Sequence, residues 1–175
     1  GVLLNTFYHK NTGNRVLVQY KDLSPNIVKA LVATEDIRFR RHSGIDFKAL
    51  FRAFVKRGLF FDKSAGGGST LTQQLAKQLY TPQADNLLER MMQKPIEWVI
   101  AVQLERFYTK EEILTMYLNQ YDFVNNAVGI KQASWVYFGK KPDQLQPEEA
   151  ALLIGMCKNA AMYNPIRFPE RSVQR

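Results

Sequence analysis

The chain has 175 residues, 46% hydrophobic and 23% charged, the balance of an ordinary globular protein with a real core. Its 24 Lys and Arg against 16 Asp and Glu leave a net charge of +8, which points to an anionic partner: nucleic acid, a phospholipid surface or a phosphorylated substrate. One cysteine, Cys157, excludes an intrachain disulfide, and two distant histidines, His9 and His42, argue against a His/Cys metal cluster. No apolar run approaches the ~20 residues of a membrane-spanning helix, and no leader peptide is read. The first residues read as the edge of a domain taken from a longer protein.

Phe7 to Gln19 is the best strand candidate, with turn chemistry at Asn11-Thr12-Gly13-Asn14, and predicts a short N-terminal β-hairpin. Ser24-Pro25 then opens a helix, Ser as N-cap and Pro at the first helical position, with Ile27, Val28, Leu31 and Val32 as its apolar stripe. That helix delivers Glu35 and Asp36 at its C-terminal end, where a carboxylate gains nothing from the helix dipole. Arg38, Arg40, Arg41, His42 and Asp46 follow closely. Core segments rarely concentrate acid, base and imidazole so tightly. A chemical centre at Glu35 and a surface salt-bridge cluster both fit the pattern.

Asp46 reads as the N-cap of the next helix and Gly58 as its stop; Phe47, Leu50, Phe51, Phe54 and Val55 form a face that core packing explains. Leu59-Phe60-Phe61, flanked by Lys56, Arg57 and Lys63, fits either a loop dipping into a lipid interface or a buried corner. A glycine run, 66–68, leads through Ser69 and Thr70 into a helix with Leu71, Leu75 and Leu79 buried. Thr70, Gln73, Gln74 and Lys77 fall on its other faces. Free backbone N–H groups at such a helix start favour an anion. The late Lys77 excludes a Walker P-loop.

Asp85 reads as the cap of a long helix from Asn86 to Phe107, with Leu87, Leu88, Met91, Ile96, Val99, Ile100 and Leu104 as its apolar side. Pro95 predicts a kink or break in it. Lys94 and Glu97 straddle that proline, as a surface pair or as functional groups at a distorted turn. Thr109-Lys110-Glu111-Glu112 is a capping box, Ala127 to Phe138 an amphipathic helix ended by Gly139, and Gln146-Pro147-Glu148-Glu149 the opening of an apolar, central helix holding a buried Cys157. The whole reads as one mainly α-helical domain over residues 1–175.

At this point the residues resemble a family: the family 51 glycosyltransferases, the peptidoglycan transglycosylase domains of class A penicillin-binding proteins and their monofunctional homologues. Glu35-Asp36-x-x-Phe39-x-x-His42-x-Gly44-x-Asp46 resembles its first motif, and Gly67-Gly68-Ser69-Thr70-Leu71-Thr72-Gln73-Gln74-x-x-Lys77 its second. Lys94-x-x-Glu97 resembles the third. Ile113-Leu114-x-x-Tyr117-Leu118-Asn119 with Tyr137-Phe138-Gly139-Lys140 resembles the fourth, and Glu149-Ala150-Ala151-Leu152-Leu153 with Lys158 and Tyr163-Asn164-Pro165 the fifth. The likeness runs from Ala30 to Pro165. Three departures stand out. Gln93 replaces the usual Arg before Lys94, with Arg90 as a candidate substitute; Gln78 follows Lys77 in place of Asn; and Phe123-Val124-Asn125-Asn126 follows Asn119 differently from the usual pair.

The resemblance implies a lysozyme-like helical lobe beside a smaller membrane-contacting lobe. It implies lipid II and the growing glycan chain as substrates, the outer face of the bacterial cytoplasmic membrane as location, and moenomycin-type inhibitors as ligands. Under it, Glu35 is the general base, and Glu97 helps the diphosphate leave, directly or through a divalent cation, Mg²⁺ or Mn²⁺. Lys77, Lys94 and Lys158 neutralise the diphosphate, while Ser69, Thr70, Gln73, Gln74 and Asn119 bind substrate. Asp36, Phe39, His42 and Asp46 support the loop. A transmembrane anchor and any transpeptidase domain lie outside these residues. Two other classes remain: a lysozyme-like hydrolase using Glu35 with Asp36 or Asp46, and a non-catalytic module binding lipid head groups. No nucleic-acid signature is present.

Overall fold

The computed structural model describes residues 16–56, 68–81 and 85–174. Eight α-helices carry most of them: α1 Pro25–Glu35, α2 Phe47–Phe54, α3 Leu71–Tyr80, α4 Leu87–Phe107, α5 Lys110–Gln120, α6 Ile130–Phe138, α7 Pro147–Met156 and α8 Pro169–Gln174. The class is mainly α, consistent with a lysozyme-like helical fold. Most of the expected hairpin lies outside the described residues, and 16–19 forms no strand. Two isolated bridges, Ser43 with Ile45 and Asp122 with Val128, are the only β pairing among the described residues. Gly58, the aromatics at 59–61 and the first two glycines of the 66–68 run also lie outside them.

The chain divides into two compact units, one formed before Glu35 and after Ile113, the other by Glu35–Ile113. The first buries Ile27 and Leu31 of α1, Leu114, Tyr117 and Leu118 of α5, Ile130 and Ala133 of α6, and Leu153 and Met156 of α7. Ser24 starts α1 as expected: its hydroxyl accepts from the Asn26 N–H at 3.2 Å and donates to the Leu145 carbonyl at 2.9 Å. Gly139 ends α6 in the left-handed region at φ 64°, where only glycine is unstrained. Cys157 is buried as expected, its Sγ 3.7 Å from the Leu153 carbonyl oxygen. In the loop after Asn119, Val124, Asn125 and Asn126 all stand at positive φ.

In the 35–113 unit, α3 packs along α4 and buries Leu71, Leu75 and Ala76 against the side that holds Ala101 and Leu104. Three expectations are corrected here. Asn86, not Asp85, caps α4, its Oδ1 accepting from the Glu89 N–H at 2.8 Å. Of the kink or break expected at Pro95, the break is absent: the helix is continuous from Leu87 to Phe107. A proline there removes one backbone bond, and the remaining turns keep the helix going.

The third correction concerns the apolar faces. Phe47, Phe51 and Phe54 of α2 are 70%, 71% and 72% exposed, so core packing does not explain them. On α4, Leu87, Leu88, Met91, Ile96 and Val99 are likewise exposed, and of its apolar residues only the C-terminal Ala101 and Leu104 are buried. Helical periodicity registers that a face is apolar; it does not register what covers it.

The contrast is measurable. Leu75→Ala is expected to cost about 2–5 kcal/mol, because it opens a hole in a closed core. Phe51→Ser is expected to change stability by no more than about 0.5 kcal/mol, because that ring already faces solvent. Urea unfolding midpoints of the two variants check both outcomes.

Candidate active site

The site is built on the last residue of α1. Glu35 is half-buried there, and its Oε2 accepts a hydrogen bond from Gln74 Nε2 of α3 at 3.1 Å. Its other oxygen has no partner among the described residues. Asp36, one residue on, is buried. Its Oδ2 pairs with His42 Nε2 at 2.9 Å and accepts from the Leu71 N–H, the first backbone donor of α3, at 3.1 Å.

That second bond corrects the expectation of an open anion cradle at the start of α3. A helix N-terminus favours a negative charge, and here the chain supplies its own. Two further backbone donors, of Thr70 and Gln73, are also taken up within the chain. Thr70 Oγ1 accepts from the Gln73 N–H at 3.1 Å, and Gln73 Oε1 accepts from the Thr70 N–H at 3.3 Å and from Ser69 Oγ at 3.1 Å. This reciprocal capping box buries Thr70 and Gln73. Of the four residues expected to bind substrate here, those two face the helix start, while Ser69 and Gln74 stay half-exposed. Lys77 is exposed, three residues past Gln74 on the same helix.

The loop between α1 and α2 is pinned at several points. Phe39 is fully buried, with the His42 ring edge-on to it at 6.0 Å. Asp46 caps α2, accepting from the Ala49 N–H at 3.0 Å, and pairs with Arg38 Nε at 3.1 Å. Thr70 Oγ1 donates to the Gly44 carbonyl at 2.6 Å. Gly44 has φ 91°, and a Cβ there would lie 2.8 Å from the Ala101 backbone, so loop and α4 touch with no room for a side chain. All four expected support residues, Asp36, Phe39, His42 and Asp46, are thus engaged in the fold.

Sequence reasoning missed a further anchor. Lys110 Nζ donates to the His42 carbonyl and to Glu105 Oε1, each at 2.7 Å, and lies 4.2 Å from the Phe39 ring centre. Glu105 also accepts from Thr72 Oγ1 at 2.6 Å. Nothing in the local pattern marks Lys110 beyond its place in a capping box, because its partners lie far off in sequence.

On α4, Glu97 is fully buried, with Lys94 Nζ on its Oε2 at 2.8 Å and Arg90 Nη1 on its Oε1. Arg90 also donates to Gln93 Oε1 at 3.3 Å. Residues 90, 94 and 97 fall on one helical face, seven and three positions before the acid. Burial works against the charge on Glu97, but the hydrogen bonds and positive charges of Arg90 and Lys94 outweigh it and hold its pKa below the usual 4.5. Both oxygens being taken, Glu97 does not by itself build a metal site. No group of three His, Cys, Asp or Glu suited to a metal occurs among the described residues.

Asn119 and Lys158 belong to the other unit. Asn119 is buried and holds the backbone of Val18 with both amide atoms, Oδ1 accepting at 3.1 Å and Nδ2 donating at 3.0 Å. Its side chain is therefore committed to the fold, against the expectation of a substrate contact. Lys158 is exposed at the end of α7.

The transglycosylase family model matches residues 1–175. Penicillin-binding protein 2a of Streptococcus pneumoniae serotype 2 is 42% identical over 158 residues, 90% of this chain and 20% of that protein. Penicillin-binding protein 1A of Escherichia coli K12 is 38% identical over 161 residues, 92% of this chain and 18% of that protein. The chain thus spans about a fifth of these relatives. A biosynthetic peptidoglycan transglycosylase of Nitrosomonas eutropha is 35% identical over 175 residues, covering 98% of this chain and 70% of the relative.

The lowered pKa of Glu97 has a definite sign for stability. The fold favours the ionised acid, so this contribution is complete above pH 4.5 and is lost as pH falls through the lowered value. Glu97→Gln is expected to be less stable than the parent at neutral pH and to show a flatter acid limb. Urea midpoints of both proteins across that range check it.

Proposed function

This chain belongs to the transglycosylase family, and from that premise we propose that it polymerises lipid II into peptidoglycan glycan strands, with Glu35 as the general base. The observation that carries the reading is the state of Glu35: half-buried, oriented by Gln74 through one oxygen, with the other unpartnered among the described residues. A carboxylate held this way can accept a proton without first breaking a structural bond.

Glu35 takes the proton of the acceptor GlcNAc 4-hydroxyl. The oxygen attacks C1 of the donor MurNAc, the bond from C1 to the undecaprenyl diphosphate breaks, and a β-1,4 link forms with inversion. The proton ends on Glu35 and the charge on the departing diphosphate. Cations aimed at that developing charge supply much of the rate. In this reading Lys77, Lys94 and Lys158 supply them, with Arg90 in place of the cation lost at Gln93. Glu97 holds Arg90 and Lys94 in position through its paired oxygens. A divalent cation, Mg²⁺ or Mn²⁺, carried by the diphosphate would add to these charges at the Glu97 end of the site.

The hydrolase alternative asks for a second available carboxylate beside Glu35. Asp36 is committed to His42 and α3, and Asp46 to Arg38 and α2, so neither is available. The exposed apolar face of α2 supports contact with a membrane surface, the outer face of the bacterial cytoplasmic membrane under this reading. No described helix is long and apolar enough to cross one. Moenomycin-type inhibitors would compete for the diphosphate-binding cations.

Incubation with lipid II tests the proposal. Wild type is expected to yield polymer, and Glu35→Gln to lose on the order of a hundredfold or more of the rate. Arg90→Gln is expected to lose roughly tenfold to a hundredfold, and Arg90→Gln with Gln93→Arg to regain part of it. Cleavage of finished glycan in place of polymerisation would overturn the reading.

A further inference from the structure

At the start of α2, apart from the residues assigned to substrate, lies a cavity of about 450 Å³. Its walls carry three cations, Arg38, Arg41 and Lys48, and one carboxylate, Asp46. Asp46 is neutralised by Arg38 and caps α2. His42, which also lines it, is paired with Asp36. Arg41 and Lys48 are exposed, and their side chains make no ion pair or hydrogen bond with any described residue. The cavity therefore presents two uncompensated positive charges.

Its rim is apolar. Phe47 lines the cavity and begins the exposed row of Phe47, Phe51 and Phe54, spaced four and three residues apart along α2. Unpaired cations opening onto an exposed aromatic row match an amphiphile with an anionic head. A free phosphate would match the cations but not the row. An apolar chain would match the row but not the cations.

We propose that this cavity holds the phosphate head group of an anionic phospholipid, clamped by Arg41 and Lys48, with its acyl chains along the α2 face. The assignment rests on the reading of that face as the membrane-contacting surface. It gives the unit a preference for anionic membrane that is separate from its grip on the diphosphate of its substrate. Neither Arg41 nor Lys48 takes part in the transfer step, so polymerisation of detergent-solubilised lipid II is expected to survive their replacement.

Co-sedimentation with vesicles of phosphatidylcholine alone, or of equal parts phosphatidylcholine and phosphatidylglycerol, tests it. Wild type is expected to prefer the mixed vesicles. Arg41→Gln with Lys48→Gln is expected to lose roughly tenfold or more of that preference. Lys21→Gln with Lys131→Gln removes the same charge from exposed sites elsewhere and is expected to lose much less. Equal losses in the two pairs, or no preference in wild type, would overturn the pocket and leave only net charge. Phe51→Ser tests the face by itself: it is expected to weaken binding to both vesicle types and spare the preference. Neutral-vesicle binding untouched by Phe51→Ser would overturn the membrane reading. Inorganic phosphate abolishing the preference at concentrations too low to screen charge would overturn the lipid assignment and leave a free-anion site.

Discussion

One oxygen of Asp36 accepts from both the His42 ring and the first backbone N–H of α3. Burying a carboxylate is costly unless donors replace its water. Here the imidazole, the amide and the positive end of the α3 dipole do so together. The consequence is register. With Leu71 tied to Asp36, Gln74 comes round beside Glu35 one turn later, and the bond between them follows. The free carboxylate is positioned by the buried one next to it. Two adjacent acids thus divide the work, and neither could do the other's part in the same backbone.

Around this pair the fold adds a second tier of constraint. Lys110 serves the His42 carbonyl, the Glu105 carboxylate and the Phe39 ring at once, and Glu105 reaches back to Thr72 on α3. Gly44 lets the loop lie directly on the α4 backbone. The ends of the loop and the start of α3 are therefore fixed from three directions. By contrast, Arg90, Lys94 and Glu97 form a cluster drawn from a single helix, held by spacing alone. Within that spacing Arg90 reaches the carboxylate that Lys94 also holds from one turn further back, and donates to Gln93 as well.

Much of this was legible before the structure. Ser24, Asp46 and the Thr109–Glu112 box stand where helix-cap chemistry puts them, because caps are local and depend on a few adjacent residues. The family likeness picked out Glu35 and its supporting loop. What escaped notice was contact between distant positions: Lys110 with His42, Thr72 with Glu105, Asn119 with Val18. No spacing rule links residues that far apart. The apolar faces of α2 and α4 misled for a related reason. Three phenylalanines on one face look alike whether protein or lipid lies against them. The glycine-led start of α3 misled because the anion that fills it is a residue of the chain itself.

Under the proposed function, the occupied start of α3 would shape the grip on substrate. Backbone amides at a helix start form a rigid mould, selective for one anion in one pose. With Asp36 in that mould, a diphosphate would be left to the ends of long lysines and arginines. Such a grip would be a soft clamp, able to follow a moving leaving group and loosening as ionic strength rises. An enzyme that had to let go of one diphosphate before taking the next would gain turnover from that looseness.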